Sequence, residues 1–258
     1  MIRYRDCVSS LETIDAKQAR QVQLWLGELG ASLSDVFGAD RILWVEGPTE
    51  EHCFPMLLEQ VANVRLRGTV IQGVRNTGDF DGRHAELVID LYSKVSQAGS
   101  LVPAAVGFLF DDEGRTDQQK LELQSRANGV PVKFTGRRMY ENYVLNADAI
   151  AAVANSTEDF AGPAVTVEQV QEWIETNRGR FAPPDSAPNP SNGRSWIDEV
   201  HAGKLLKALF SEMSDRRVNY RKPEHSVALT RWLIANKPSE LAEIAALVES
   251  VLQPVSQS

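Results

Sequence analysis

The chain has 258 residues, 43% of them apolar, and a formal charge of −8. That length allows one large domain or one domain carrying an insertion, and no apolar run approaches the roughly 18 residues of a membrane span. Only Cys7 and Cys53 are present, in no metal-binding spacing, which argues against a disulfide scaffold and a zinc site and makes a reducing cytoplasm the expected compartment.

The N-terminus, Met1-Ile2-Arg3-Tyr4-Arg5-Asp6-Cys7, has no apolar signal-peptide core. Apolar positions Ile14, Val22, Trp25, Leu26 and Leu29 predict a helix over 12–29, ended by Gly30. A connector over 32–38 leads to a first strand at 41–45. Pro48 then suits the start of a helix running to about 62, because proline is tolerated where the amide lacks an internal partner. A second strand is expected at 69–73, a turn at Asn76-Thr77-Gly78, and a helix over 82–97. The third strand is 104–110, followed by a polar helix over 116–127. The fourth is 130–134, where Pro131 suggests an edge. Alternating strands and helices predict a mainly parallel sheet with helices on both faces.

After Asn146 the texture changes. Alanine-rich helices are expected at 148–155 and 166–177. The stretch from Phe181 to Gly193, rich in proline, serine and asparagine, reads as a loop or linker. Helical periodicity resumes over 195–213, 224–236 and 239–252, and the tail from Pro254 is expected to fray. The division is therefore 1–38 (helix and connector), 39–146 (α/β core), 147–194 (helical insertion with linker) and 195–258 (C-terminal helical part).

Two apolar strands end abruptly in carboxylates: Ile42 to Val45 in Glu46, and Val106 to Phe110 in Asp111-Asp112-Glu113. Ligands of open α/β folds bind at such carboxyl ends. Acids gathered there repel one another unless hard divalent cations neutralise them. Glu50 and Glu51, in the first turn of the next helix, also suit the helix dipole, so a capping role competes with a site role. Alternation sends Asp111 and Glu113 to one side and Asp112 to the other, unless a turn intervenes. Glu141 follows the fourth strand and could join the same rim, although beside Arg137-Arg138 it also reads as half of a surface ion pair. Lys222, placed in a loop before a helix, could offset charge on a phosphate; alone it reads as solvated. The acidic balance gives no whole-chain argument for nucleic acid. Basic residues nevertheless cluster at Arg126 to Lys133, Arg137-Arg138, Arg178 to Arg180 and Arg216 to Lys222, and patches matter more than the sum. His52, His84, His201 and His225 are scattered and read as surface or packing residues.

Val45-Glu46-Gly47-Pro48-Thr49-Glu50, Phe110-Asp111-Asp112-Glu113-Gly114-Arg115 and Arg138-Met139-Tyr140-Glu141-Asn142-Tyr143 together resemble a Toprim domain. The specific likeness is to the Toprim nuclease region of the OLD (overcoming lysogenization defect) family. It covers about 33–146 and extends more loosely over 195–250, where Tyr220-Arg221-Lys222-Pro223-Glu224-His225 is similar to a lysine-bearing segment that closes the site. The resemblance implies a Toprim-like parallel sheet with an added helical subdomain, and a metal-dependent endonuclease acting on DNA. It implies that Glu46, Glu50, Asp111, Glu113 and Glu141 hold two Mg2+ or Mn2+ ions, that Glu46 is catalytic, and that Lys222 is the phosphate-facing lysine. One ion would activate a water and the other would stabilise the leaving oxygen. The family has Asp-x-Asp where this chain has Asp111-Asp112-Glu113, which leaves open whether Asp112 substitutes for Glu113.

No Gly-x-x-x-x-Gly-Lys-Ser/Thr phosphate loop occurs in the sequence, whereas the family sets an ATPase domain before this region. The expected partners are DNA, an ATPase domain on the same polypeptide or a separate subunit, and optionally a second copy of the chain; no membrane is expected. Competing readings are a non-catalytic metal- or DNA-binding regulatory module, and a primase-like or RNA-processing Toprim enzyme.

Overall fold

The computed structural model describes residues 2–5, 8–11, 40–66, 68–73, 85–86, 89–90, 104–158, 160, 164–182 and 195–253. Ile2–Arg5 (β1) and Val8–Leu11 (β2) pair antiparallel, a hairpin that the sequence patterning did not suggest. The helix expected over 12–29, its connector, the turn at 76–78, most of the helix at 82–97, most of the 181–193 loop and the tail lie outside the described residues.

A parallel sheet organises the α/β part. Arg41–Val45 (β3), Thr69–Gly73 (β4), Ala104–Phe110 (β5) and Val132–Phe134 (β6) run in the order β4-β3-β5-β6. Every pairing is parallel. Among the described strands, the one after Pro131 is an edge. Ile42 to Val45 are buried without interruption, as expected of a strand covered on both faces. Alternation divides them. Leu43, Val45, Ile71 and Leu109 enter the larger apolar core, while Ile42, Trp44, Phe108 and Phe110 enter a smaller one with Leu123 and Ala127.

Helices cover both faces. Pro48–Gln60 (α1) begins at proline as expected, and Asp117–Arg126 (α2) is closed by a Thr116–Gln119 capping box. Ala147–Ser156 (α3) is capped by Asn146, and Val167–Asn177 (α4) by Thr166 with Gln169. The helix expected over 195–213 is broken into Trp196–Glu199 (α5) and Ala202–Met213 (α6). The cause is tertiary: the Asn142 amide donates to the carbonyls of Ile197 and Val200 at 2.6 and 2.8 Å, holding that segment out of helical register. Lys222–Asn236 (α7) starts two residues earlier than expected, which takes Lys222 out of the loop and into the first helical turn, with Pro223 beside it. After a 3-10 turn at Pro238–Leu241, Ala242–Leu252 (α8) packs on the sheet. The helical part thus shares its core with one sheet face: Ile150, Leu205, Leu229 and Val248 belong to the same apolar cluster as Leu43 and Leu109.

Candidate active site

Strands β3 and β5 are paired with Val45 opposite Leu109, so both chains leave the sheet at the same end. Glu46 and Asp111 therefore emerge side by side, and Glu46 Oε2 accepts a hydrogen bond from the Asp111 amide at 3.1 Å. One turn into α1, Glu50 is buried, and its Oε2 stands 3.4 Å from where a Gly47 Cβ would be. Asp111 Oδ1 accepts from the Tyr140 amide at 3.0 Å. That bond seats the 3-10 turn Tyr140–Asn142 beside the rim and delivers Glu141. Glu141 is wholly buried, with Oε2 3.2 Å from Lys222 Nζ and Oε1 3.4 Å from Ser226 Oγ. Lys222, Ser226 and Thr230 recur every four residues along α7, so one helical stripe faces Glu141 and Tyr140.

Beneath the acids lies an apolar floor. Tyr140 packs edge-on against Phe54, and its hydroxyl meets Thr230 Oγ1 at 2.7 Å. Water exclusion by this floor sets the electrostatics, because burial disfavours a carboxylate's charged form. Glu46 is raised from 4.5 to about 7 by burial and then by Glu113, against the lowering effects of Arg115, the Asp111 amide and Lys222. Burial, Glu141 and Glu46 raise Glu50 to about 8. Asp111 is pushed well above its ordinary value by burial and by Glu50, Glu46 and Glu141. For Lys222, burial opposes the charge, but Glu141, Asp111 and Glu50 outweigh it and raise the pKa. Half of the Lys222 side chain (51%) remains in solvent, which limits that opposing effect.

The two residues left open by the sequence go to different places. Asp112 is buried on the other side of the turn, in an ion pair with Lys120 of α2, with its amide donating to Thr135 Oγ1 at 2.9 Å. Glu113 is exposed on the Glu46 side and paired with Arg115 at 3.0 Å. Its backbone is left-handed (φ 47°), followed by Gly114 at φ 74° in a turn closed by Arg115 N to Asp112 O. Glu51, the alternative capping residue of α1, instead ties the helix to β4, its Oε2 accepting from Gly73 N at 3.0 Å. Gly73 has no room for a Cβ, which would overlap the Gly47 carbonyl.

Several site neighbours went unnoticed in the sequence. Ser226 could have been found from its four-residue spacing to Lys222. Arg115, whose guanidinium donates to the Asp111 carbonyl, and Asn142, which ties α5 to the rim, carry no such signal. Cys53 and His225 are buried in packing roles. Burial pushes the Cys53 thiol up to about 12, so no thiolate nucleophile forms, and His225 stacks on Tyr220 with Nδ1 held by the Arg221 amide at 2.8 Å.

Among the described residues, no group of three or more His, Cys, Asp or Glu side chains is arranged to hold a metal ion. The chemistry of the donor set still fits a hard divalent cation: four carboxylates, all oxygen donors, three of them with pKa values raised by burial and mutual repulsion. As the side chains stand, the ammonium of Lys222 supplies the positive charge at Glu141.

Among solved structures, this chain is similar to the C-terminal region of the Burkholderia pseudomallei OLD protein, at 13% identity and a TM-score of 0.45, over 83% of this chain and 99% of that one. It is also similar to the C-terminal region of the Xanthomonas campestris pv. campestris OLD protein, at 14% identity and a TM-score of 0.45, over 83% and 100%. The structural neighbours are OLD-protein C-terminal regions. At these TM-scores the likeness assigns no role to any residue. No protein-family model matches the chain, and no curated protein does. No helix among the described residues is long and apolar enough to cross a membrane.

Proposed function

We propose that this chain is a divalent-metal-dependent endonuclease that hydrolyses DNA phosphodiester bonds, the nuclease half of an OLD-type enzyme. The observation that carries this reading is the bond from the Asp111 amide to Glu46 Oε2. It joins two acidic strand ends 65 residues apart in sequence and sets Glu50 and Glu141 around them. Glu46, Glu50, Asp111, Glu113 and Glu141 would hold Mg2+ or Mn2+. The bound ions would supply charge neutralisation and an activated water to the scissile phosphate.

The chain's own residues divide the remaining work. Tyr140 N–H fixes one oxygen of Asp111. The apolar floor of Phe54 and Tyr140 keeps the acids partly dehydrated, which strengthens their pull on a cation. Lys222, half exposed at the mouth and anchored by Glu141, is placed to offset charge that develops on a phosphate oxygen.

One observation favours a second reading, a module that binds nucleic acid or metal without cutting: no metal-holding arrangement stands preformed among the described residues. A single experiment separates the two. Supercoiled plasmid is incubated with magnesium or manganese, with and without chelator, using the unaltered chain and Glu46→Ala. Cleavage that needs the metal and Glu46 supports the nuclease. Equal nicking by both proteins, or none by either, refutes it.

A further inference from the structure

Among the described residues, one basic side chain at the acidic rim has no acid to neutralise it. Among the described residues, the half-buried arginines Arg115 and Arg137 are paired with carboxylates, at 3.0 Å to Glu113 and 3.0 Å to Glu243. Arg138, equally half-buried, has no such partner. Its Nε is buried without any hydrogen bond, and its Nη1 reaches only the Glu199 carbonyl, at 3.5 Å. A guanidinium withdrawn from water without an anion is unfavourable, so its position calls for a ligand that supplies one.

Basic groups lie nearby, alongside Asp198 and Glu199, whose carbonyls accept from Arg138. The Arg138 carbonyl receives the Glu113 amide at 2.7 Å, and Nη1 stands 3.9 Å from where a Gly114 Cβ would be, which places the guanidinium against the turn that follows Asp111. Two residues beyond Glu199, whose carbonyl Nη1 meets, is His201, the cap of α6. His201 Nδ1 accepts from the Lys204 amide at 3.4 Å, so in the neutral ring Nε2 carries the proton and can donate. Burial first, then Lys204, Arg138 and Lys222, hold His201 down to about 4. Lys222 Nζ lies 3.6 Å from where a Gly203 Cβ would be, so the wall is continuous with the lysine at the mouth. Lys204 itself is exposed and has no carboxylate partner among the described residues.

We propose that Arg138, His201 and Lys204 form a phosphate-binding wall beside Lys222 that takes a backbone phosphate neighbouring the one cleaved in a bound DNA strand. The inference rests on the nuclease reading of the adjacent acids and adds where the strand is held. A planar guanidinium offers two parallel donors to phosphate oxygens, Nε2–H of His201 offers a third without needing charge, and Lys204 adds a point charge at the edge. Such contacts position the strand without reading its sequence.

The test is binding, not cleavage. Fluorescein-labelled single-stranded and duplex oligonucleotides are titrated by anisotropy into protein carrying Glu46→Gln, so that the probe survives, alone and combined with Arg138→Gln or Lys204→Gln. Each added substitution is expected to weaken binding roughly 10-fold at low salt, whatever the sequence. Each should also lower the slope of log affinity against log salt by about 0.7 for single strands and 0.9 for duplex. With Glu46 intact, the rise in unfolding temperature caused by manganese should persist in chains carrying Arg138→Gln or Lys204→Gln alone. Lys204 is exposed, so its variant tests the wall even if Arg138→Gln folds poorly. Unchanged affinity and slope in both variants overturns the wall, as does absence of oligonucleotide binding before the added substitutions. Loss of the manganese response together with affinity also overturns it, because Arg138 would then be supporting the acids. Plasmid cleavage by the unaltered chain with no binding loss in the variants rejects the wall alone. Binding loss in the variants without any cleavage rejects the nuclease alone.

Discussion

Glu50→Gln is the substitution that most directly probes strain in the acidic cluster. In the metal-free protein, Glu50 is raised from 4.5 to about 8 by burial, Glu141 and Glu46. A carboxyl group whose folded pKa lies above its unfolded one binds its proton more tightly when folded. Its stabilising contribution is complete below the unfolded pKa and is lost as pH rises through the folded one. For Glu50 that window runs from about 4.5 to about 8. At roughly 1.4 kcal/mol per pKa unit, keeping Glu50 ionised above this window costs on the order of 5 kcal/mol as a ceiling. Relaxation of the cluster and proton sharing with Glu46 and Asp111 should leave about 2 kcal/mol. Glutamine keeps the shape and removes the charge. In EDTA it should leave stability nearly unchanged at pH 5 and raise the unfolding midpoint by roughly 4–8 °C at pH 8.5. Manganese should then stabilise the unaltered chain more than the variant, because the ion relieves a repulsion that the variant no longer has. The assay is thermal unfolding followed by circular dichroism at both pH values, with and without manganese. An equal effect at the two pH values, or destabilisation at pH 8.5, would refute the picture of Glu50 as a strained member of a cation site.

Asp111→Asn and Asp112→Asn should separate cleanly despite adjacency. The first should abolish the manganese-induced midpoint shift, whereas the second should keep it and lose about 1–3 kcal/mol of stability in urea unfolding from the broken Lys120 pair. Gly73→Ala should cost about 1–3 kcal/mol in the same assay, because its Cβ would overlap the Gly47 carbonyl and press on Glu51 Oε2. A stability change within about 0.5 kcal/mol would show that the β4 end can move away from Gly47, contrary to this packing.

What the sequence alone determined is what local chemistry dictates. The uninterrupted apolar run Ile42 to Val45 makes an interior strand wherever it pairs, and its abrupt end in Glu46 puts a carboxylate at the rim. Pro48, the Thr116–Gln119 box and Asn146 mark helix starts through backbone amides only a few residues away. The tertiary structure decided whatever depends on residues far apart in the chain. The break between α5 and α6 comes from Asn142, more than 50 residues upstream, and the start of α7 carries Lys222 to the buried Glu141. Alternation put Glu113 with Asp111 and Asp112 on the other side, but whether a turn would break that rule was decided by the left-handed turn at Glu113 and the Lys120 pair. The charge state of Glu50 was equally invisible, since burial under Phe54 and Tyr140 and the approach of Glu141 exist only once the sheet and the helices have closed around it.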